Sequence, residues 1–295
     1  MHTLRKGFLS VILFLFSTIA FADFTYPVLV LDADNTATLP TLFRTAATPL
    51  PPNTTVSTAG LATLPMMGSA QFSEKQLLQV VQKIHPTSLM VFDLRQESHG
   101  FLNGAAISWY GINNQENAGK TPQQVEQTQF QYLSSLQNSP RVTVQQIIKK
   151  SGDGKILQTV PVTFNVSNVF AEADLMRAYN FGYTRIYVTD SKRPDDTQVD
   201  AFLKTIQSLP GPTWVYFHCR GGLGRTTTFM AMLDMMHNAQ TVSFNDIIAR
   251  QALIGGEDLS KLPPQTDMNY TSQFDRFSFL QDFYNYCKTS QFKTP

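Results

Sequence analysis

Ten consecutive residues, His218-Cys219-Arg220-Gly221-Gly222-Leu223-Gly224-Arg225-Thr226-Thr227, carry the side chains that phosphate chemistry needs, at spacings one loop can use. An apolar run from Thr213 to Phe217 precedes them, and Phe229, Met230, Leu233 and Met236 follow at helical intervals. The loop therefore joins a strand to a helix N-terminus, where unpaired N–H groups and the helix dipole both favour an anion. The glycines let the chain turn tightly enough for the amides of Gly221, Gly222, Leu223 and Gly224 to converge on one phosphoryl group. Arg225 can grip two oxygens of that group, which lysine could not. The same field favours Cys219 as a thiolate, hence a nucleophile. Thr226 can donate a hydrogen bond to the sulfur and help it leave, while His218 is expected to orient the loop rather than act as a base. A thiolate at the floor of an anion site is a phosphate-transfer arrangement. The plainer alternative is a buried thiol beside a glycine turn.

Such a loop needs a sheet to present it. Ser88 to Leu94, Arg185 to Thr189 and Thr213 to Phe217 read as buried parallel strands, each beside helical periodicity. Leu77, Leu78, Val81 and Ile84 mark one helix, with Ser73 as its N-cap; Val199, Phe202, Leu203 and Ile206 mark another after Asp196. Strands alternating with helices predict an α/β core with a mostly parallel central sheet flanked by helices. Between the first two strands, Arg141 to Ile148 and Ile156 to Val166 are rich in β-branched residues and flank Ser151-Gly152-Asp153-Gly154, a hairpin turn. Residues 103 to 170 are therefore expected to form a small antiparallel β insertion within a catalytic domain of 66–295. Residues 23 to 65, rich in Thr, Pro and Ala, read as an extended arm.

The 295 residues carry 23 Lys+Arg against 22 Asp+Glu, which leaves no general electrostatic footprint for a nucleic-acid partner. Two cysteines, Cys219 and Cys287, exclude a disulfide framework and an all-cysteine zinc site. No His/Asp group has metal-ligand spacing, and a thiolate mechanism needs neither metal nor cofactor. Arg5 and Lys6, an apolar run from Phe8 to Ile19, and Ala20-Phe21-Ala22 have the layout of a signal peptide over residues 1–22. The run is too short to be a stable membrane anchor, which takes about 20 apolar residues. Export to the periplasm or beyond is the expectation.

The loop resembles the catalytic motif HCxxGxxR, followed by Ser or Thr, of the cysteine-dependent protein tyrosine phosphatase superfamily. It is most similar to the bacterial phytase branch, the tyrosine-phosphatase-like inositol phosphatases. The likeness extends to Phe43-Arg44-Thr45, Gly68-Ser69-Ala70-Gln71-Phe72-Ser73, Asp93-Leu94-Arg95-Gln96-Glu97-Ser98-His99-Gly100, Trp109-Tyr110-Gly111, Thr189-Asp190 and Ile254-Gly255-Gly256, nearly the whole chain after the leader. It implies a phosphocysteine intermediate and a general acid on a separate loop. Asp190 resembles that acid by its spacing from Pro194 and Cys219, although Val188-Thr189 stands where Trp-Pro is usual. Asp195 is the rival, with an N-cap role as its plainer reading.

The implied substrates are inositol polyphosphates such as phytate, with phosphoinositide headgroups as a further possibility. Arg220 stands where related phytases often carry Glu, and Arg44 matches an Arg that contacts substrate phosphate in them. Lys120, Lys149, Lys150 and Arg276 are the other cations expected around a polyphosphate, since each extra phosphate must be paired. Gln251 is a candidate for placing the hydrolytic water. Arg95 is expected to pair with one or both of Asp93 and Glu97 in a structural network. A protein tyrosine or dual-specificity phosphatase, a silent inositol-phosphate binder and a sulfur-transfer enzyme are the competing functions.

Overall fold

The computed structural model describes residues 24–290. The leader-like segment 1–22 lies outside the described residues. In chain order, β1 (Val28–Ala33), β2 (Arg44–Thr45) and β3 (Met66–Ser69) precede helix α1 (Glu74–Ile84). Strand β4 (Leu89–Asp93) leads into the hairpin β5 (His99–Leu102) and β6 (Ala105–Tyr110), then α2 (Pro122–Gln137). A second hairpin, β7 (Arg141–Lys150) and β8 (Ile156–Asn165), is followed by β9 (Val169–Phe170), α3 (Glu172–Ala178) and β10 (Gly182–Arg185). The chain ends through α4 (Asp196–Ser208), β11 (Trp214–His218), α5 (Gly224–Asn238), α6 (Phe244–Leu253) and α7 (Tyr270–Thr289).

Two sheets result. One has the order β10-β4-β11-β3-β2, parallel except for its edge strand β2. Both of its faces are covered, which is why β4 and β11 are apolar without alternation. On one face Phe92 and Phe217 pack with Phe202 of α4 and Phe229 of α5; on the other, Val91 and Tyr216 meet Phe72 and Leu77. Helix α5 is buried on nearly every side, so its sequence shows little amphipathicity. Ser73 closes a capping box with Gln76 at the start of α1, a device worth about 1 kcal/mol.

The other sheet has the order β8-β7-β1-β6-β5-β9. It corrects two expectations. Residues 23–65 are not an extended arm: β1 lies inside this sheet, antiparallel to β6 and parallel to β7. The Thr/Pro-rich stretch after it masked a short run, Val28 to Leu31, in which Val28, Val30 and Leu31 are buried. Nor is the insertion a small antiparallel unit confined to 103–170, because it recruits β1 and β5 from outside those bounds, contains α2, and has one parallel pairing. A third correction concerns the strand expected at 185–189, which pairs instead over Gly182–Arg185. Ile186 and Val188 are buried in the core although their segment has left the ladder. Apolar pattern reports burial, and burial outlasts pairing here.

Candidate active site

Strand β11 delivers Cys219 to the base of a cleft of about 460 Å³, and α5 starts five residues later. No side chain caps α5 at Leu223, so its first-turn amides face the loop they help to form. Gly222 has φ +71°, and a Cβ there would lie 2.3 Å from the Ala70 nitrogen; only glycine fits. The Gly222 N–H and the Thr226 hydroxyl each donate to Cys219 Sγ at 3.2 Å. Cys219 is 3% exposed and lines the cleft floor with Arg220, Gly221, Leu223 and Gly224.

Arg225, expected to grip two phosphoryl oxygens, is instead buried behind the floor and does not line the cleft. Its NH1 and NH2 donate to the two oxygens of Glu97 at 2.8 and 3.0 Å, and NH1 also reaches the carbonyls of Leu94 and Val188. Glu97 accepts as well from Arg95 Nε (2.9 Å) and Asn114 Nδ2 (2.8 Å). Burial would raise the Glu97 pKa, but the Arg225 and Arg95 guanidinia outweigh it and hold the carboxyl far below its usual range. Arg95 continues to Asp32 at 3.0 Å, and Asp32 accepts from Arg220 Nε at 2.7 Å. Acids and guanidinia thus alternate from the cleft rim to its floor. The expected pairing of Arg95 with Glu97 lies within this chain; Asp32, on β1, was not foreseen.

Asp190 stands on the cleft wall. Its Oδ2 is 3.2 Å from Arg225 NH2 and accepts from Asn114 Nδ2 at 2.7 Å. Asp195 instead caps α4, accepting from the Gln198 N–H at 2.9 Å, and does not line the cleft. His218 is buried, with Nε2 2.7 Å from Glu172 Oε1, so it ties the loop to α3. Burial opposes ionisation of Glu172, yet His218 and His99 hold its pKa at about 2.

The cations divide. Arg220, Lys150 and Arg276 line the cleft. Arg220 and Lys150 flank the Tyr110 ring at 5.0 and 5.4 Å from its centroid, and Arg276 is held by Glu257 at 3.1 Å. Burial pushes the Tyr110 hydroxyl up to about 12. Lys120 and Lys149 are not on the cleft; Lys120 is taken by Asn117 and Glu116. Arg44 is a correction, because it does not reach the cleft. Only 2% exposed, it donates to the Gly222 carbonyl (2.9 Å) and Thr227 Oγ1 (3.0 Å), bracing the loop from behind. Gln251 likewise turns inward and donates to Asp234 at 2.8 Å. Sequence spacing gives proximity in a loop, but not which side of the loop a side chain takes.

Asp93, His99 and Glu172 gather their ligand atoms within 4.8 Å, a grouping the linear sequence hid. Arg185 lies 3.3 Å from Asp93 and His218 pairs with Glu172, so among the described residues this is a neutralised ion-pair network. Both cysteines are free; burial pushes the Cys287 thiol up to about 12.

Comparison with known proteins follows the same lines. A family model described as PTP-like phytase, inositol hexakisphosphate, matches residues 92–237, the span from β4 through α5. The PTP-like myo-inositol phosphatase of Mitsuokella multacida, solved with myo-inositol-(1,3,4,5)-tetrakisphosphate, superposes with a TM-score of 0.84 at 34% identity, covering 91% of this chain and 46% of that one. A PTP-like phytase from Bdellovibrio bacteriovorus gives 0.69 at 33% identity, covering 91% and 93%. The effector protein hopD2 of Pseudomonas syringae pv. tomato is 28% identical over 238 residues, 80% of this chain and 50% of its own length. The chain therefore spans about half the length of hopD2 and of the Mitsuokella protein. Likeness at this identity over almost all of the Bdellovibrio protein places the chain in the PTP-like phytase family.

Proposed function

We propose that the protein is a cysteine-dependent phosphomonoesterase acting on inositol polyphosphates through a phosphocysteine. One observation carries the reading: Cys219 Sγ, with two donors on it, opens to a cleft whose wall holds Asp190 and whose rim holds Arg220, Lys150 and Arg276. In the first step the sulfur attacks phosphorus, the P–O ester bond breaks, and Asp190 gives its proton to the departing alcohol oxygen. The loop amides take the charge on the remaining oxygens, and Arg225, its NH1 and NH2 held by Glu97, brings its positive charge up from beneath the floor. In the second step water attacks the phosphorus of the phosphocysteine, Asp190 takes a proton from that water, and as the new P–O bond forms the S–P bond breaks and the sulfur leaves as a thiolate held by Gly222 and Thr226.

Phosphate release from inositol hexakisphosphate, lower inositol phosphates and phosphotyrosine peptides tests the substrate class. Preference for the inositol esters is expected; preference for peptides would replace this reading with that of a protein tyrosine phosphatase. Binding without release would leave a silent receptor.

Arg220 gives a sharper check. Asp32 holds its Nε and Tyr110 supports its plane, so the guanidinium is fixed at the rim at little further entropy cost. Arg220→Ala is expected to raise KM for inositol hexakisphosphate about tenfold and leave p-nitrophenyl phosphate within about threefold. Equal effects on both esters would mean that the residue shapes the loop and not the preference.

A further inference from the structure

Asn114 closes a short 3-10 turn, Ile112–Asn114, in the insertion. It is 4% exposed and lies on the cleft wall, and its Nδ2 donates to both Glu97 Oε1 (2.8 Å) and Asp190 Oδ2 (2.7 Å). Those two oxygens are also the ones that Arg225 NH2 meets, at 3.0 and 3.2 Å. Two NH₂ groups and two carboxylate oxygens therefore alternate around a closed four-membered array, one NH₂ charged and the other neutral. The amide orientation follows from its surroundings, since the opposite flip would set a carbonyl oxygen against two carboxylates.

We infer that Asn114 is a positioning residue for Asp190, holding the acid in register with Arg225; this rests on the reading of Asp190 as the general acid. A primary amide is the neutral side-chain group that can donate two hydrogens from one nitrogen. Two donors on Oδ2 and one on Oδ1, the Ser191 N–H at 2.8 Å, fix the plane of the carboxyl, and Oδ1 keeps a lone pair for the proton passed to the leaving oxygen. The next residue holds the main chain of the same target, Gln115 Nε2 donating to the Asp190 carbonyl at 2.9 Å. Asn113 and Asn114 adopt φ +56° and +60°, a left-handed conformation that asparagine tolerates better than most residues. The β7–β8 hairpin buttresses the turn: Tyr110 donates to the Gly154 carbonyl at 2.8 Å, and a Cβ at Gly154 would strike Asn113. Through this turn the insertion reaches the acid.

The test compares Asn114→Gly, which keeps the left-handed backbone and removes the amide, with Asp190→Asn and the double variant. Each is assayed on inositol hexakisphosphate, whose alkoxide is a poor leaving group, and on p-nitrophenyl phosphate, whose phenolate leaves without a proton. Asn114→Gly is expected to lower kcat on the inositol ester about 10- to 100-fold with KM within about twofold, to leave the aryl ester within about threefold, and to add nothing to Asp190→Asn. If Asp190→Asn is itself indifferent to the leaving group, the reading of Asp190 fails. If Asp190→Asn is selective but Asn114→Gly slows both esters equally, or its loss multiplies with that of Asp190→Asn, the inference about Asn114 fails. Should the glycine variant not fold, Asn114→Asp keeps the shape and replaces a double donor with a third carboxylate; it is expected to show the same selective loss, and full activity would overturn the inference.

Discussion

Replacing Cys219 with serine is expected to reduce phosphate release by at least about 10⁴-fold on every ester, while inositol phosphate still binds within a few-fold of the wild-type affinity. A serine hydroxyl in the same place would have to lose its proton to attack, and among the described residues the hydrogen-bond partners of Cys219 Sγ are donors while His218 Nε2 is turned to Glu172. The donors at 3.2 Å from Gly222 and Thr226 suit a sulfur leaving group and do not remove a proton from an alcohol. Binding should persist because Arg220, Lys150, Arg276 and the loop amides are untouched. Calorimetric titration with inositol hexakisphosphate alongside the release assay measures both quantities. A serine variant with a few per cent of normal turnover would show that the nucleophile lies elsewhere, and the phosphocysteine would have to be abandoned.

That the loop was legible in the sequence, and its supports were not, has a physical basis. The residues from His218 to Thr227 are contiguous, so their chemistry is set by local geometry: strand end, glycine turn, helix start. Ser73 and Asp195 were readable as N-caps for the same reason, each bonding within its own first turn. Asp32, Asn114 and Glu172 act across 188, 76 and some 46 positions of chain, and nothing in their neighbours announces a partner so distant. One signal was available. The run Val28 to Leu31 is followed by Asp32 much as Leu89 to Phe92 is followed by Asp93, an apolar run finishing in an acid. Arg44 illustrates the opposite failure: the right residue was chosen, but burial gave it the loop carbonyl of Gly222 instead of the cleft.

The second large effect concerns Glu97, on which Arg95, Arg225 and Asn114 all converge. Glu97→Gln keeps the shape but leaves two buried guanidinia short of a counter-charge, and is expected to cost about 3–5 kcal/mol of stability at pH 7. Turnover should fall too, because the carboxylate fixes the plane of Arg225. The loss must depend on pH in one direction. Glu97 has a folded-state pKa depressed below its unfolded value of about 4.5, so its contribution is fully present above that pH and is lost as pH falls toward the folded value. Urea unfolding of wild type and variant at pH 7 and pH 3 should therefore give a gap that narrows in acid. A gap that stays constant or widens would mean that Glu97 does not enter the folded state as a carboxylate between two arginines. The same measurement on Asp190→Asn supplies the contrast: its side chain is 31% exposed at the cleft, where water screens the pair with Arg225, and the variant should unfold at nearly the wild-type urea concentration.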